Sequence, residues 1–350
     1  MTVLFQNDDL AAATRGVCNF ILHNHVETLP ERNLVTSEPV VLDFHEERTP
    51  WTIFTDNHLN TQYFTIAHML WTLAGRSDVN FLSFYDEAVV DIAGKNDVIP
   101  NAAGAVLRDY PLFYQIDGHY ERDTIDQIII AIDKLKKSPD DTNAVLSLWD
   151  ASCDLKTGRE FFTCATFYQL QVRNGFLDMS THCRGCDAVI GLPASYTFDY
   201  FLQALIAGSL DLKIGTYTAF HQRLSLSKTL YPDLLPHIKQ LSTDLTVSPS
   251  HEVIDRRISQ KQLNTFSSLF FPIEQNFRQN SSQLTLDSVK VLSMKMIVDG
   301  VPEYWVKTIM PVLLAWHARR AGNEELHDQL LSDAEADVQN LISGYKKEVA

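Results

Sequence analysis

Asn174-Gly175 constrains this chain more than any other pair of residues. An Asn-Gly dipeptide accepts positive φ at both positions, and the tight turn it makes matches the twist of the strands it joins. It stands between two runs that read as strands, roughly 161–173 and 176–183. A two-residue turn sets the register, so Arg173 faces Phe176, Ala165 faces Arg184 and Cys164 faces Gly185. One bulge in the ladder brings Cys164 directly beside Arg184. A guanidinium next to a thiol favours the thiolate, which is the nucleophilic form. Two strand residues without a chemical role would also account for the spacing.

The second strand runs into "THCRGCDAVIGLPASY", residues 181–196, where Arg184 and Asp187 look buried beside two cysteines and ahead of a Gly-Leu-Pro turn. They read either as a structural ion pair or as residues facing a site. Cys183-x-x-Cys186, with His182 beside it, is a single pair without a second. On a strand the two thiols point to opposite faces, so no metal site is expected.

The rest reads as a mixed α+β chain. A helix is expected over Asp9–His25 and a strand at "PVVLDF", where Val40, Leu42 and Phe44 alternate inward. "TQYFTIAHMLWTLAG" is apolar nearly all round and reads as a buried helix ending at Gly75. In "DTIDQIIIAIDKLKKSP" Asp123 is the expected N-cap, with Ile125, Ile128, Ile129, Ile132 and Leu135 as the buried stripe. "AVLSLW" and "KIGTYTAFH" read as strands and "YFLQALIAG" as a buried helix. Beyond about residue 230 the patterns are helical only, around Arg257–Phe277, Leu284–Val298, Glu303–Arg320 and Asn323–Lys347, after a turn-rich linker "LSTDLTVSPS". The expected division is an α+β core over 1–230 and a helical region over 231–350.

Composition excludes some functions. The chain of 350 residues carries 29 Lys and Arg against 44 Asp and Glu, a net charge of −15. That balance argues against a nucleic-acid surface. Apolar stretches break well before the ~20 residues a membrane helix needs, and a cytoplasmic protein is expected. Five cysteines are too few and odd in number for a disulfide framework.

"CATFYQLQVRNGFLDMSTHCRGCDAVIGLP" resembles the nucleophile region of thymidylate synthases and the related pyrimidine (dCMP, CMP, dUMP) hydroxymethylases. That family carries a Cys-His-x-x-x-Gln-Phe strand, a hairpin, then Gln-Arg-Ser-x-Asp-x-x-x-Gly-x-Pro. Cys164, Gln169, Arg184, Asp187, Gly191 and Pro193 stand at the family's spacing. "IAHMLWTLAG" resembles its Glu-Leu-Leu-Trp-Phe-Leu helix, and "GTYTAFHQRLS" stands where it has its nucleoside-contacting strand. The resemblance covers roughly 10–230. It implies a thymidylate-synthase-like mixed sheet layered with helices, and a homodimer joined through a sheet face. It also implies a cysteine that adds to C6 of a pyrimidine nucleotide or nucleoside, with 5,10-methylenetetrahydrofolate as the one-carbon donor. In this reading Cys164 is the nucleophile, Arg184 stabilises its thiolate and Asp187 orders the site. Arg32, Gln169, Gly191, Ser195 and Ser225 fall at substrate-contacting positions.

The departures matter too. The family's partner-subunit arginine pair falls at Thr142 and Asn143, the histidine after the nucleophile at Ala165, and the base-reading Asn at Ser195. Its proton-handling Glu falls at His68, which the reading takes as a replacement general base with a pKa near neutrality. The active-site Tyr falls at Leu107, and the ribose-holding His and Tyr at Ser225 and Ser227. The two folate-site Trp fall at Val90 and Ala93. Arg223 and His221 are the candidates to replace the lost phosphate contacts. These changes imply a C5 methyl- or hydroxymethyltransferase whose substrate is not ordinary dUMP. The alternative is a non-catalytic homologue kept as a scaffold or ligand-binding protein.

Overall fold

A computed structural model of the protein describes residues 2–6, 10–28, 33–36, 38–45, 48, 50–51, 60–93, 95–99, 101–116, 119–150, 154–155, 164–189, 191–227, 254–332, 334–335, 338–339 and 342. Arg32, the strand start at 161–163, the linker at 241–250 and residues 343–347 of the last expected helix lie outside them.

The main layer is a six-stranded mixed sheet. Its strands are β1 (Val3–Gln6), β4 (Val40–Phe44), β7 (Val145–Ser147), β8 (Ala165–Arg173), β9 (Phe176–Cys183) and β11 (Lys213–His221), in the order β1-β4-β11-β9-β8-β7. A second sheet has the order β10-β12-β3-β2, with β2 (His25–Thr28), β3 (Asn33–Thr36), β10 (Cys186–Asp187) and β12 (Leu224–Ser227). β5 (Tyr110–Ile116) and β6 (His119–Ile125) form a separate hairpin.

Helices cover the inner face of the main sheet. The chain places α1 (Leu10–His23), α2 (Asn60–Leu73), α3 (Val79–Tyr85), α4 (Ala88–Ala93), α5 (Ala103–Arg108) and α6 (Gln127–Lys137) before β8. After it come α7 (Gly191–Leu210), α8 (Gln260–Gln279), α9 (Leu286–Val298), α10 (Met310–Arg320) and α11 (Glu324–Ser332). A π-helical turn, Trp305–Ile309, leads into α10. α7 is the central helix: every side chain from Tyr196 to Ala207 is buried, under β9 and β11 on one side and α2 on the other. One hydrophobic cluster runs through the sheets and on into α8 and α10. Among the described residues no helix is long and apolar enough to cross a membrane.

Several expected boundaries move for local reasons. α6 is capped by Asp126, which accepts the Ile129 N–H at 3.0 Å, and not by Asp123. Asp123 and Ile125 belong to β6, and Ile129 is 43 % exposed while Ala131 joins the buried stripe. The hairpin with β5 holds the chain extended for three residues longer than the helical pattern suggests. Gly191-Leu192-Pro193 is no turn. It opens α7, where proline is tolerated because the first N–H groups of a helix need no internal partner. The first helix ends at His23, and His25 starts β2.

Gly208 marks the close approach of α7 to the segment entering α8. A Cβ there would lie 2.7 Å from the Ile258 carbonyl oxygen and 2.9 Å from its carbon, both backbone atoms. Gly208→Ala is therefore expected to destabilise the fold by ~1–3 kcal/mol, as overpacking does. Urea unfolding reads this as a lower midpoint; an unchanged midpoint would mean the two elements are not in register as described.

Candidate active site

The site grows from the β8–β9 hairpin. Asn174 and Gly175 take φ of 51° and 83°, as a two-residue hairpin turn requires, and Arg173 pairs with Phe176. The ladder then slips by one residue. Phe167 pairs with His182, but Ala165 pairs with Cys183, which leaves Thr166 as the extra residue of a bulge. Thr166 donates its hydroxyl to the His182 carbonyl at 2.8 Å. With the slip, the Arg184 N–H reaches the Cys164 carbonyl at 3.0 Å, so the two residues stand side by side, as a single bulge in the hairpin count would place them.

Arg184 is exposed and not buried, with its guanidinium 6.0 Å from the centre of the Trp149 ring. Cys164 is half-buried. Its thiol is held below the ordinary value first by a side-chain hydrogen bond from Cys186, and then by the Arg184 charge; burial and the charges of Asp199 and Asp187 act against them. Asp187 is half-buried on β10 and accepts the Val189 N–H at 2.9 Å, which shapes the loop ahead of α7.

β10 joins the second sheet, with Cys186 beside Leu224 and Asp187 beside Ser225 in β12. Ser225 is half-buried and donates to the Cys186 carbonyl at 3.3 Å. The exposed Arg223 accepts the Cys186 N–H on its carbonyl at 3.1 Å, which puts it across the loop from Gly185. Gly191 and Ser195 sit on the opening turns of α7. Gly191 packs so closely that a Cβ would lie 2.9 Å from Cys186 Sγ. Cys164, Arg184, Cys186, Asp187, Arg223 and Ser225 thus belong to one loop cluster where the two sheets meet.

Other expected site residues lie elsewhere. Gln169 is exposed, on the opposite side of β8 from buried Tyr168 and Leu170, and its amide points to the Thr142 carbonyl at 3.5 Å. His68 sits between Phe64 and Trp71 on α2, stacked on both at 5.7 and 5.9 Å. Burial lowers its pKa to about 4, so the near-neutral general base expected there is not the state of this ring. His221 is 2 % exposed within β11, and burial lowers its pKa to about 4 as well. It cannot contact a phosphate from a surface loop.

Cys183 and Cys186 are both buried, because the strand ends at Arg184-Gly185 and strand alternation no longer governs them. Among the described residues, the side chains close enough to share a metal ion are Glu324, His327 and Asp328, away from this loop. The ring nitrogens of His327 already face the Tyr63 hydroxyl and Asp328, each at 2.8 Å.

A buried polar layer beneath the site escaped the sequence reading. Asp199, 3 % exposed on α7, accepts the hydroxyls of Tyr168, at 2.6 Å, and of Tyr217. Arg48 donates to the Gly215 carbonyl at 2.7 Å and to the Gln203 side chain. The available signal was an Asp and a Gln inside the otherwise apolar "FDYFLQALIAG". Such residues are found inside only when paired.

His221 yields a pH prediction. Both ring nitrogens are buried without a hydrogen-bond partner among the described residues. Its folded pKa of about 4 lies below the ~6.5 of an unfolded histidine. The stability it contributes is therefore complete above ~6.5 and lost as pH falls toward 4, by ~3 kcal/mol. Urea unfolding of wild type and His221→Leu between pH 7.5 and 4.5 should show a shallower loss in the variant; parallel losses would remove His221 as a cause.

The thymidylate synthase family model matches residues 33–278. The chain is 34 % identical over 138 residues to the thymidylate synthase of Enterobacteria phage T4, covering 37 % of this chain and 48 % of that protein. It is 26 % identical over 186 residues to the thymidylate synthase of Baumannia cicadellinicola, covering 53 % of this chain and 64 % of that protein. These matches span between about half and just under two thirds of the relatives' length. The family match covers β8, the hairpin, the loop and α7. The chain belongs to the thymidylate synthase family.

Proposed function

We propose that the protein is a C5 one-carbon transferase acting on a pyrimidine nucleotide or nucleoside, with Cys164 as covalent nucleophile. The supporting observation is the bulge-set pairing of Cys164 with Arg184, in a cluster that holds the thiol below its ordinary value. Addition of the thiolate to C6 moves the C5–C6 π electrons onto C5 and the C4 oxygen. C5 then attacks an electrophilic one-carbon unit, and loss of the C5 proton with expulsion of the thiolate restores the ring. Arg184 favours the thiolate, and with Arg223 it gives the loop cluster two exposed arginines. Asp187 holds the loop, while Gly191, Ser195 and Ser225 approach the substrate; Arg32, outside both the described residues and the matched segment, is the further phosphate contact in this reading.

The substrate in this reading is not ordinary dUMP. Ser195 offers one hydroxyl where an amide would match a base edge with both donor and acceptor. Thr142 and Asn143 lie in an exposed turn and bring no cation for a dianionic phosphate. The family's donor is methylenetetrahydrofolate. Here Val90 is 49 % exposed and Ala93 is 4 % exposed on α4, and neither can stack on a pteridine. The residues do not fit that group.

The outer face of the main sheet supports a homodimer. Leu4, Val41, Phe220, His182 and Phe167 form one row across five strands, with the three rings stacked at 4.9 and 6.1 Å. Leu4 is 55 % and Phe167 38 % exposed, an arrangement a second copy would cover. Light scattering at micromolar concentration should give twice the monomer mass, and Phe167→Lys should shift the protein toward monomer. A clean wild-type monomer would overturn the dimer.

Tritium release from C5 tests the chemistry without a one-carbon donor. Incubated with tritiated uridine and cytidine compounds, with and without phosphate, wild type should release label from at least one. Cys164→Ser should lose that release by at least about a hundredfold, because an alcohol is a far poorer nucleophile. Release no faster than in the serine variant for every compound would favour a scaffold or ligand-binding role.

A further inference from the structure

Where α8 lies against α3, two adjoining cavities of about 380 and 730 Å³ share Asn80, Ser83, Gln275 and Arg278 in their walls. None of the residues lining them belongs to the Cys164 cluster. The shared arginine is held firmly. Its side chain is only 10 % exposed, its Nε is 2.9 Å from the buried Glu274, and its Nη1 donates to both the backbone and the side-chain oxygen of Asn80 at 2.7 Å. Its Nη2 has no partner among the described residues. Arg76 lines the larger cavity in a similar state. Asp78 takes its Nε and Nη2 at 2.7 and 2.8 Å, and the Phe271 ring lies 4.2 Å from its guanidinium, which leaves Nη1 open. Lys95 lines the same cavity, exposed and without a partner among the described residues.

We propose that this groove binds a small phosphate ester, with Arg76, Lys95 and Arg278 on the phosphate, at a site independent of the reaction at Cys164. The three cations come from separate stretches of chain: the turn after α2, the segment after α4 and the last turn of α8. They meet on one cavity in a protein whose acidic residues outnumber its basic ones by 44 to 29. Most of the counter-charge is already engaged. Both oxygens of Asp78 are taken by Arg76, and one also accepts the Phe81 N–H at 3.2 Å. Glu274 is fully buried and shared with His317 at 3.1 Å. Asp97 is the remaining carboxylate in the lining. A tetrahedral phosphate offers separate oxygens to N–H groups arriving from three directions, whereas a planar carboxylate is matched by a single guanidinium fork. Two of the three donors are fixed before any ligand arrives, which keeps the ordering cost of binding low. Gln275 and Gln279 add side-chain amides without partners among the described residues, each with a donor and an acceptor for a hydroxyl-bearing body. Cavities of this size are typical of small-molecule sites.

The test is titration calorimetry of the full chain with inorganic phosphate and with ribose 5-phosphate, at constant ionic strength. Wild type should bind each one-to-one, and ribose 5-phosphate more tightly. Lys95→Gln removes an exposed side chain that holds nothing else, and it should weaken both ligands by at least about fivefold. Asp97→Asn should tighten both, because the opposing carboxylate is gone. Arg278→Gln should lose binding; since it also unpairs the buried Glu274, Lys95→Gln keeps the question decidable if that variant folds poorly. Arg184→Gln, in the Cys164 cluster, should bind as wild type does. Absence of binding by wild type at about 10 mM of either ligand would overturn the proposal. Equal affinities in wild type and Lys95→Gln would overturn it as well. Loss of binding in Arg184→Gln with Lys95→Gln unaffected would place the phosphate at the Cys164 cluster and end the case for a second site.

Discussion

The arrangement of this protein depends on one extra residue in one ladder. Thr166 has no partner in β9, and its hydroxyl ties the gap to the His182 carbonyl. Without that slip Cys164 would face Gly185, and the guanidinium of Arg184 would belong to the strand position before it. With the slip, the last rung of the hairpin joins Cys164 to Arg184. The chain then leaves the six-stranded sheet and enters β10 of the other sheet, two residues later. Cys164 thus stands at a junction where neither sheet continues, so backbone groups and loop side chains converge around it. Bulges often mark sites of this kind, because they redirect a side chain without ending the strand.

Beneath the junction the protein buries charge. Asp199, Tyr168 and Tyr217 form one hydrogen-bonded group, and Arg48, Gln203 and the Gly215 carbonyl form another beside it. Burial raises the Asp199 pKa to about 7, although the two tyrosines and Arg48 pull it back. Its folded value lies above the ordinary carboxyl value. Its contribution to stability is therefore complete below the ordinary carboxyl range and is lost as pH rises through about 7. That is the reverse of His221. The protein carries two buried groups with opposite pH dependence, one on α7 and one on β11. Asp199 also opposes ionisation of Cys164, so the thiol is set by a balance between carboxylates behind it and donors around it.

The C-terminal helices are tied in by a different buried set. Glu274 on α8 is fully buried, with His317 of α10 at 3.1 Å and Arg278 at 2.9 Å. Trp316 donates to the Phe84 carbonyl at 3.0 Å, and Tyr63 of α2 meets His327 of α11. Breaking one member of such a buried group leaves another uncompensated, which makes the attachment specific as well as apolar. The same α2 that supports α7 from behind is thereby held from its far side.

Local chemistry made the hairpin, the inward alternation of β4, the apolar helices and the family spacing of Cys164, Arg184 and Asp187 legible in the sequence. Asn174-Gly175 admits one turn, and the turn carries the register with it from Arg173–Phe176 to Phe167–His182, where the bulge interrupts it. The sequence alone could not decide between Asp123 and Asp126 as the cap of α6, because that choice turned on whether β5 would hold 119–125 extended. Nor could it show that Arg184 is exposed, that His221 is buried, or that Cys186 packs against Gly191. Each of those facts depends on which surfaces meet across sheets and helices far apart in the chain. Sequence patterns record what a residue does to its neighbours within a turn or two. The electrostatic surroundings of Cys164 come from β10, α7 and the buried layer under them, and only their packing brings those groups within reach.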